Sequence, residues 1–139
     1  MKFKKLASGA KLPTRAHNDD LGLDLYTLET TTACANTTTL IRTGIATAFD
    51  AGIGGILKDR SSVASQKRLY VKAGVIDPSY RGEILVLLEN PDNHSKVIQG
   101  GMKIAQMILV QSIPTVIEEV DDFEDETKRG TGGFGSTGV

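Results

Sequence analysis

Residues 129–138 read RGTGGFGSTG and follow directly on an acidic run. Five glycines in ten residues cannot build a core, and ordering them carries a large backbone-entropy cost. Such a segment gains by ordering only on a ligand. Its backbone N–H groups, with Arg129, Ser136 and Thr137, suit an anion, while Phe134, next to Gly135, offers one flat apolar face. A phosphate joined to an aromatic base would satisfy both halves. Two familiar glycine loops do not fit. Gly130, Gly132 and Gly135 match G-x-G-x-x-G without a strand–helix–strand pattern around them, and Ser136 stands where a P-loop needs its Lys. On composition alone a terminal linker is the weightier reading of this tail. The rest of the chain reverses that weighting.

Four other stretches carry groups able to do chemistry. GVIDPSYRG at 74–82 contains Asp-Pro-Ser turn chemistry and reads as the tip of a β-hairpin, with Asp77 at a strand end and Tyr80 across the turn. Alone, Asp77 is a common turn residue and Tyr80 an ordinary cross-strand aromatic. DRSSVA at 59–64 places Arg60, Ser61 and Ser62 where a turn enters a short helix, a geometry that points donors at an anion. GMKIAQMIL at 101–109 holds Gln106, which by itself would most simply satisfy a backbone group. PTRAHNDDLGLDLY at 13–26 holds Asp24, with Asp19 and Asp20 read as turn residues. His17 and His94 are isolated, without metal-ligand spacing, and are expected at the surface. Cys34 is the single cysteine, which excludes an intrachain disulfide and a multi-Cys metal site. It is expected to be a small packed residue in a reducing compartment.

The elements that must position these groups are short. Helical periodicity is weak, and turn residues recur at close spacing among 15 glycines. β-rich runs fall at 21–27, 37–42, 46–49, 55–58, 69–71, 82–88, 96–98, 104–111 and 115–117. Many short strands with regular turns predict an all-β sandwich or barrel. Residues 59–68 are the best candidate for a short helix, with Val63 on its inner side. In GEILVLLEN at 82–90, Ile84, Val86 and Leu88 alternate with Leu85 and Leu87, so both faces are apolar. A strand of that kind is buried on both faces, and in a chain this small a partner subunit is expected to cover one of them. EEVDDFEDE at 118–126 carries seven carboxylates and reads as a solvated linker. The expected organisation is a compact body over 1–120 and, over 121–139, a flexible C-terminal arm.

The bulk numbers narrow the classes. A chain of 139 residues with 40% apolar residues is one domain. It has no apolar run long enough to span a membrane. MKFKKLASGAKLP begins basic but lacks the apolar core of a secretory signal, so a cytoplasmic location is expected. Sixteen Lys and Arg against 17 Asp and Glu leave a net charge of −1, so bulk attraction to nucleic acid is not indicated. Any affinity for phosphate must come from local placement.

Taken in order along the chain, the block at 13–26, then those at 59–64, 74–82, 101–109 and the tail resemble the five blocks of the homotrimeric dUTPase family. The resemblance covers nearly the whole chain. Any one block is weak, but all five in order with matching spacing are very specific. It implies a jelly-roll-like β-barrel (a β-clip) with one short helix, assembled as a homotrimer. The implied reaction is Mg²⁺-dependent hydrolysis of dUTP to dUMP and pyrophosphate, which supplies dUMP for dTTP synthesis and keeps uracil out of DNA. Each site would be built from three subunits, with the arm of one closing over the site of another. The partners implied are dUTP and two further copies of the chain, with no nucleic acid and no membrane.

The resemblance also assigns roles. Asp77 would activate the water that attacks the α-phosphorus and accept a hydrogen bond from the sugar 3′-hydroxyl. Tyr80 would lie against the deoxyribose and leave no room for a 2′-hydroxyl. The backbone of 72–76, with Gly74, Val75 and Ile76, would read the uracil edge, rejecting cytosine by reversed donors and thymine by contact at its methyl group. Arg60, Ser61, Ser62 and Gln106 would bind phosphates. Asp24 would act in the outer shell, orienting either Mg²⁺-bound water or Arg60. Arg129, Ser136 and Thr137 would grip the γ-phosphate, Phe134 would stack on uracil, and Gly135 beside it would also bind substrate. Three positions depart from the family pattern: Leu21, where a small residue is usual, Met102-Lys103, where Asp-Arg is more familiar, and Ser62, where Gly is common.

Two rivals stand beside this reading. A dCTP deaminase, plain or bifunctional, needs a Glu about ten positions beyond the Asp, where this chain has Leu87, with Glu89 two residues further on. A regulatory binding protein of the phage type normally carries an inserted segment, and none is evident in the sequence.

Overall fold

Ile84, Val86, Leu88 and Asn90 point inward from one strand and are fully buried, while the residues between them are only partly covered. This alternation along β8 sets the frame in the computed structural model, which describes residues 1–123, 127–128 and 130–131. The strands in chain order are β1 (Lys2–Lys5), β2 (Gly22–Tyr26), β3 (Thr31–Ala33), β4 (Thr37–Ala48), β5 (Ile53–Asp59), β6 (Tyr70–Lys72), β7 (Val75–Ile76), β8 (Glu83–Asn90), β9 (Lys96–Ile98) and β10 (Lys103–Gln111). The helix α1 (Ser61–Lys67) lies between β5 and β6. One four-stranded sheet has the order β1-β4-β8-β6, a second the order β2-β10-β5-β7, and β3 pairs with β9. The pairings within them are antiparallel. Ile41, Ile45, Val86 and Leu88 of the first sheet share one core with Leu25, Leu57, Ile104 and Met107 of the second. Val63 joins it from α1. No helix among the described residues is long and apolar enough to cross a membrane.

The all-β expectation and the single short helix hold, and several details differ. The runs 37–42 and 46–49 form one strand, β4, with a register shift between Arg42 and Ala46. β1 and β3 rest on Lys and Thr pairings that carry no apolar alternation, so the sequence does not announce them. Residues 115–117 form no strand and are exposed, and among the described residues the last regular element ends at Gln111. Cys34 is exposed and not packed, because it follows the end of β3 and turns outward. Leu85 and Leu87 are half-buried in the single chain, so the outer face of β8 is only partly covered.

The turn after β8 is bound to the end of α1 by charge. Asp92 accepts hydrogen bonds from Lys96 Nζ at 2.6 Å and Arg68 Nε at 2.9 Å. Lys96 Nζ also reaches the Lys67 carbonyl at 2.6 Å, one of the last carbonyls of the helix. The Lys96 hydrogen bond, followed by that from Arg68, lowers the Asp92 carboxyl from 3.8 to about 2. A folded-state value below the unfolded one contributes stability that is complete above the unfolded value and is lost as pH falls through the folded one. Urea midpoints should therefore fall between about pH 4 and about pH 2. Asp92→Asn should lower the midpoint at neutral pH and flatten part of that acid decline. An unchanged acid decline in the variant would show that this pairing does not contribute.

Candidate active site

Among the described residues, the sequence-selected ones other than Ser62 collect in two pockets that share no lining residue. The first is built by an excursion of the chain between sheets. After β6 the backbone turns through positive φ at Ala73 (54°) and Gly74 (98°). It joins the other sheet for the two residues of β7, where Val75 pairs with Ile56 and Ile76 with Gly55. The Leu57 N–H donates to the Gly74 carbonyl at 2.8 Å, which extends this contact. The chain then turns at Asp77-Pro78-Ser79-Tyr80, closed by the Tyr80 N–H on the Asp77 carbonyl at 3.0 Å, and returns to the first sheet as β8. The expected hairpin is therefore a turn, but the strands flanking it belong to different sheets and do not pair with each other. β7 is an edge strand, so its outer side has no strand partner.

Asp77, Tyr80, Gly74, Val75 and Ile76 all line this first pocket, with Lys72, Ala73 and Glu83 around them. Leu40, Leu85 and Leu87 give it an apolar wall, so part of the outer face of β8 lines this pocket. Asp77 is exposed at the start of the turn. Arg81 Nη1 donates to the carbonyls of Pro78 (2.8 Å) and Tyr80 (2.9 Å) and ties the turn together. The Tyr80 hydroxyl donates to the Glu83 carbonyl at 3.1 Å. Its ring lies across Gly82, where a Cβ would come within 2.6 Å of Tyr80 Cζ. Glu83 is held in turn by the Gly44 N–H at 2.7 Å and by Arg42.

The second pocket forms where β2, β10 and the start of α1 meet. Ala16, Asp20, Leu21, Gly22, Asp24, Arg60, Ser61 and Gln106 line it. Asp24 and Gln106 are cross-strand partners. The Arg60 Nε donates to Asp24 Oδ1 at 2.7 Å, and Lys103 Nζ lies 2.8 Å from Asp24 Oδ2. Asp24 is only 8% exposed, so both cations act on a carboxylate with little access to water. The hydrogen bond from Lys103 to Asp24 raises the Lys103 ammonium above its ordinary pKa. Gln106 Nε2 donates to the Asp59 carbonyl at 2.8 Å, which leaves its Oε1 free of that bond. Asp20 is a turn residue, as expected, for its Oδ2 accepts the N–H groups of Ala16 and His17. The His17 N–H is the main cause of its lowered pKa. His17 and His94 are exposed. Ser62, one residue along the helix from Ser61, is exposed and does not line the pocket. Arg129, Phe134, Gly135, Ser136 and Thr137 lie outside the described residues.

Four positions escape the sequence reading. Lys103 is visible there only as a departure from a family pattern, and its cross-strand position opposite Tyr26 brings it to Asp24. Arg81, Gly82 and Gly22 act by holding or making room for neighbours, which no motif records. Among the described residues no three His, Cys, Asp or Glu side chains gather as a metal cage.

Gly22 makes room for Gln106. A Cβ at Gly22 would stand 2.9 Å from Gln106 Cδ and 3.0 Å from its Cβ, closer than side chains pack. Gly22→Ala should therefore displace Gln106 and destabilise the fold by about 1–3 kcal/mol. Denaturant unfolding checks this, and an unchanged midpoint would show that Gln106 moves aside at no cost.

The family profile for dUTPase matches residues 8–138. The deoxyuridine 5′-triphosphate nucleotidohydrolase of Gloeothece citriformis is 40% identical, over 100% of this chain and 97% of that protein. The protein of the same name from Crocosphaera subtropica is 39% identical, over 100% and 99%. Among solved structures, the dUTPase of Staphylococcus bacteriophage 80alpha with dUpNHpp superposes with a TM-score of 0.94 at 28% identity, covering 99% of this chain and 98% of that one. A point mutant of the dUTPase from phage phi11 of S. aureus, described as coordinating a structural Mg(II) ion, shares the fold with a TM-score of 0.83 at 24% identity, covering 89% and 98%. Because the match runs almost end to end in both sequence and backbone, this chain belongs to the dUTPase family.

Proposed function

We propose that the protein hydrolyses dUTP to dUMP and pyrophosphate as a homotrimer, with its two four-stranded sheets forming a jelly-roll-like barrel in each subunit. The observation that carries this reading is the division of labour between the two pockets. The first, with an exposed Asp, an aromatic ring and an edge strand, suits a deoxynucleoside. The second, with Arg60, Ser61 and Gln106, suits phosphates. Since they share no residue, one chain offers two half-sites, and the first pocket of one subunit meets the second pocket of a neighbour. The body over 1–120 carries both pockets, and the arm over 121–139 closes the site, with Arg129, Gly135, Ser136 and Thr137 on the γ-phosphate and Phe134 on uracil.

The chemistry follows from these groups. The free side of β7 offers backbone donors and acceptors to the uracil edge, as it would to another strand. Tyr80 is held flat by Gly82 and the Glu83 carbonyl, a fixed wall against a 2′-hydroxyl. Asp77 takes a proton from water as its oxygen attacks the α-phosphorus, and the bond from that phosphorus to the bridging oxygen breaks, releasing pyrophosphate. Arg60, Ser61, Ser62 at the start of α1 and Gln106 hold the phosphates for in-line attack. Mg²⁺ is proposed to arrive on the triphosphate, where it offsets phosphate charge. Among the described residues the protein's own donors do not make a cage for it, since Asp24 is engaged on both oxygens. The setting is proposed to be cytoplasmic, supplying dUMP and keeping dUTP out of DNA synthesis. Deamination of dCTP is disfavoured because Leu87 lines the first pocket and Glu89 is paired with Lys72 at 2.7 Å.

The test is pyrophosphate release from dUTP, dCTP, dTTP and UTP, with Mg²⁺ and with EDTA. Release from dUTP alone, abolished by EDTA, is expected. No release, or ammonia from dCTP, would overturn the proposal. Asp77→Asn should lower kcat by about 10²–10⁴-fold while dUTP still binds. Near-normal turnover would remove Asp77 from the mechanism.

A further inference from the structure

We infer that Lys103 is a positioning residue of the phosphate pocket: it occupies one oxygen of Asp24 so that Arg60 keeps its guanidinium free for phosphate, with Asp24 serving these two cations and not the metal. This rests on the dUTPase reading. Arg60 meets Asp24 through Nε alone, on Oδ1 at 2.7 Å. Among the described residues, no other side-chain nitrogen of Arg60 donates a hydrogen bond. Lys103 Nζ takes Oδ2 at 2.8 Å, yet Lys103 itself does not line the pocket, whereas Arg60 does. A guanidinium beside a free carboxylate ordinarily forms a two-pronged pair, donating from Nε and Nη together. Here the second prong is denied, because Lys103 already holds the oxygen it would need. The Nη groups are left for a ligand that brings its own negative charge.

Lys103 is itself fixed. It faces Tyr26 across the β2–β10 pair, and its Nζ lies 5.8 Å from the Tyr26 ring centroid. Lys11 Nζ lies 5.5 Å from the same ring, and the Tyr26 hydroxyl is hydrogen-bonded to Thr14. Removing the ammonium would leave Asp24 Oδ2 buried without its partner, a costly state that Arg60 relieves by rotating into the two-pronged pair. The guanidinium would then withdraw from the pocket. The same arrangement bears on the metal. A dication, or water bound to one, placed at Asp24 would face two cations already within hydrogen-bond distance of that carboxylate.

The experiment compares Lys103→Met and Lys103→Arg with the parent enzyme in three measurements. These are calorimetric affinity for dUpNHpp in EDTA, the same with Mg²⁺, and the Mg²⁺ concentration giving half-maximal dUTP hydrolysis. Lys103→Met should weaken dUpNHpp binding about tenfold in both EDTA and Mg²⁺ and raise KM by a similar factor. It should leave the Mg²⁺ midpoint unchanged, and Lys103→Arg should restore the affinity to within about twofold of the parent. Unaltered dUpNHpp affinity in Lys103→Met would overturn the inference. So would a loss that disappears in EDTA or a shifted Mg²⁺ midpoint, since either makes Asp24 a metal-side group. Should Lys103→Met not fold, Lys103→Leu, which also lacks a donor, carries the same comparison and is expected to show the same loss. A parent enzyme that neither hydrolyses dUTP nor binds dUpNHpp would sink the dUTPase reading instead, an outcome distinct from all of these.

Discussion

Between Lys72 and Glu83 the chain leaves one sheet, pairs with the other for two residues, and returns. This short crossing constrains the rest of the molecule. It requires left-handed backbone at Ala73 and Gly74, where an alanine carries a conformation that a Cβ disfavours. Among the described residues no strand pairs with the outer side of β7, so its backbone groups stay open beside Asp77. The crossing also frees the outer face of β8 to become the apolar wall of a pocket. A true hairpin at Asp77 would pair β7 with β8 and close that edge. The first pocket, proposed to take the nucleoside, is thus a consequence of topology, with few side chains involved.

The second pocket, proposed to take phosphates, is governed by charge placement. The chain as a whole has a net charge of −1 and offers an anion no general attraction. One buried carboxylate changes this locally, because Asp24 gathers two cations onto neighbouring elements. Such a buried cluster is weak evidence for stability, since desolvation offsets much of the attraction. Its value lies in direction: it fixes where a guanidinium sits and which of its nitrogens remain open. Gly22 and Gln106 show the same logic without charge, as an absent side chain admits a carboxamide to the pocket wall.

Much of this is legible in the residues. The turn chemistry at 77–79, the short helix at 59–68 with Val63 inward, and the alternation in β8 each follow from local rules, and the structure bears them out. Other features are hidden because they are non-local. A run of alternating residues does not say which sheet a strand joins, so the turn at Asp77 reads as a hairpin tip. Leu85 and Leu87 read as an apolar outer face that a partner covers, and that signal does not say that the same face also lines a pocket. Lys103 is a surface lysine by type, and only the β2–β10 register brings it to Asp24. Cys34 is expected inside on its residue preference, and the end of β3 turns it out.

The central claim is that each working site combines the first pocket of one subunit with the second pocket of another. Mixed trimers test it directly. Asp77→Asn chains and Arg60→Ala chains, each inactive alone, are unfolded together, refolded at equal ratio, and assayed for dUTP hydrolysis. Random assembly with shared sites pairs an intact first pocket with an intact second pocket at about one site in four, so about a quarter of parental activity should return. If each chain contained a whole site, no mixture could restore activity, and a mixture as inactive as its components would contradict the account.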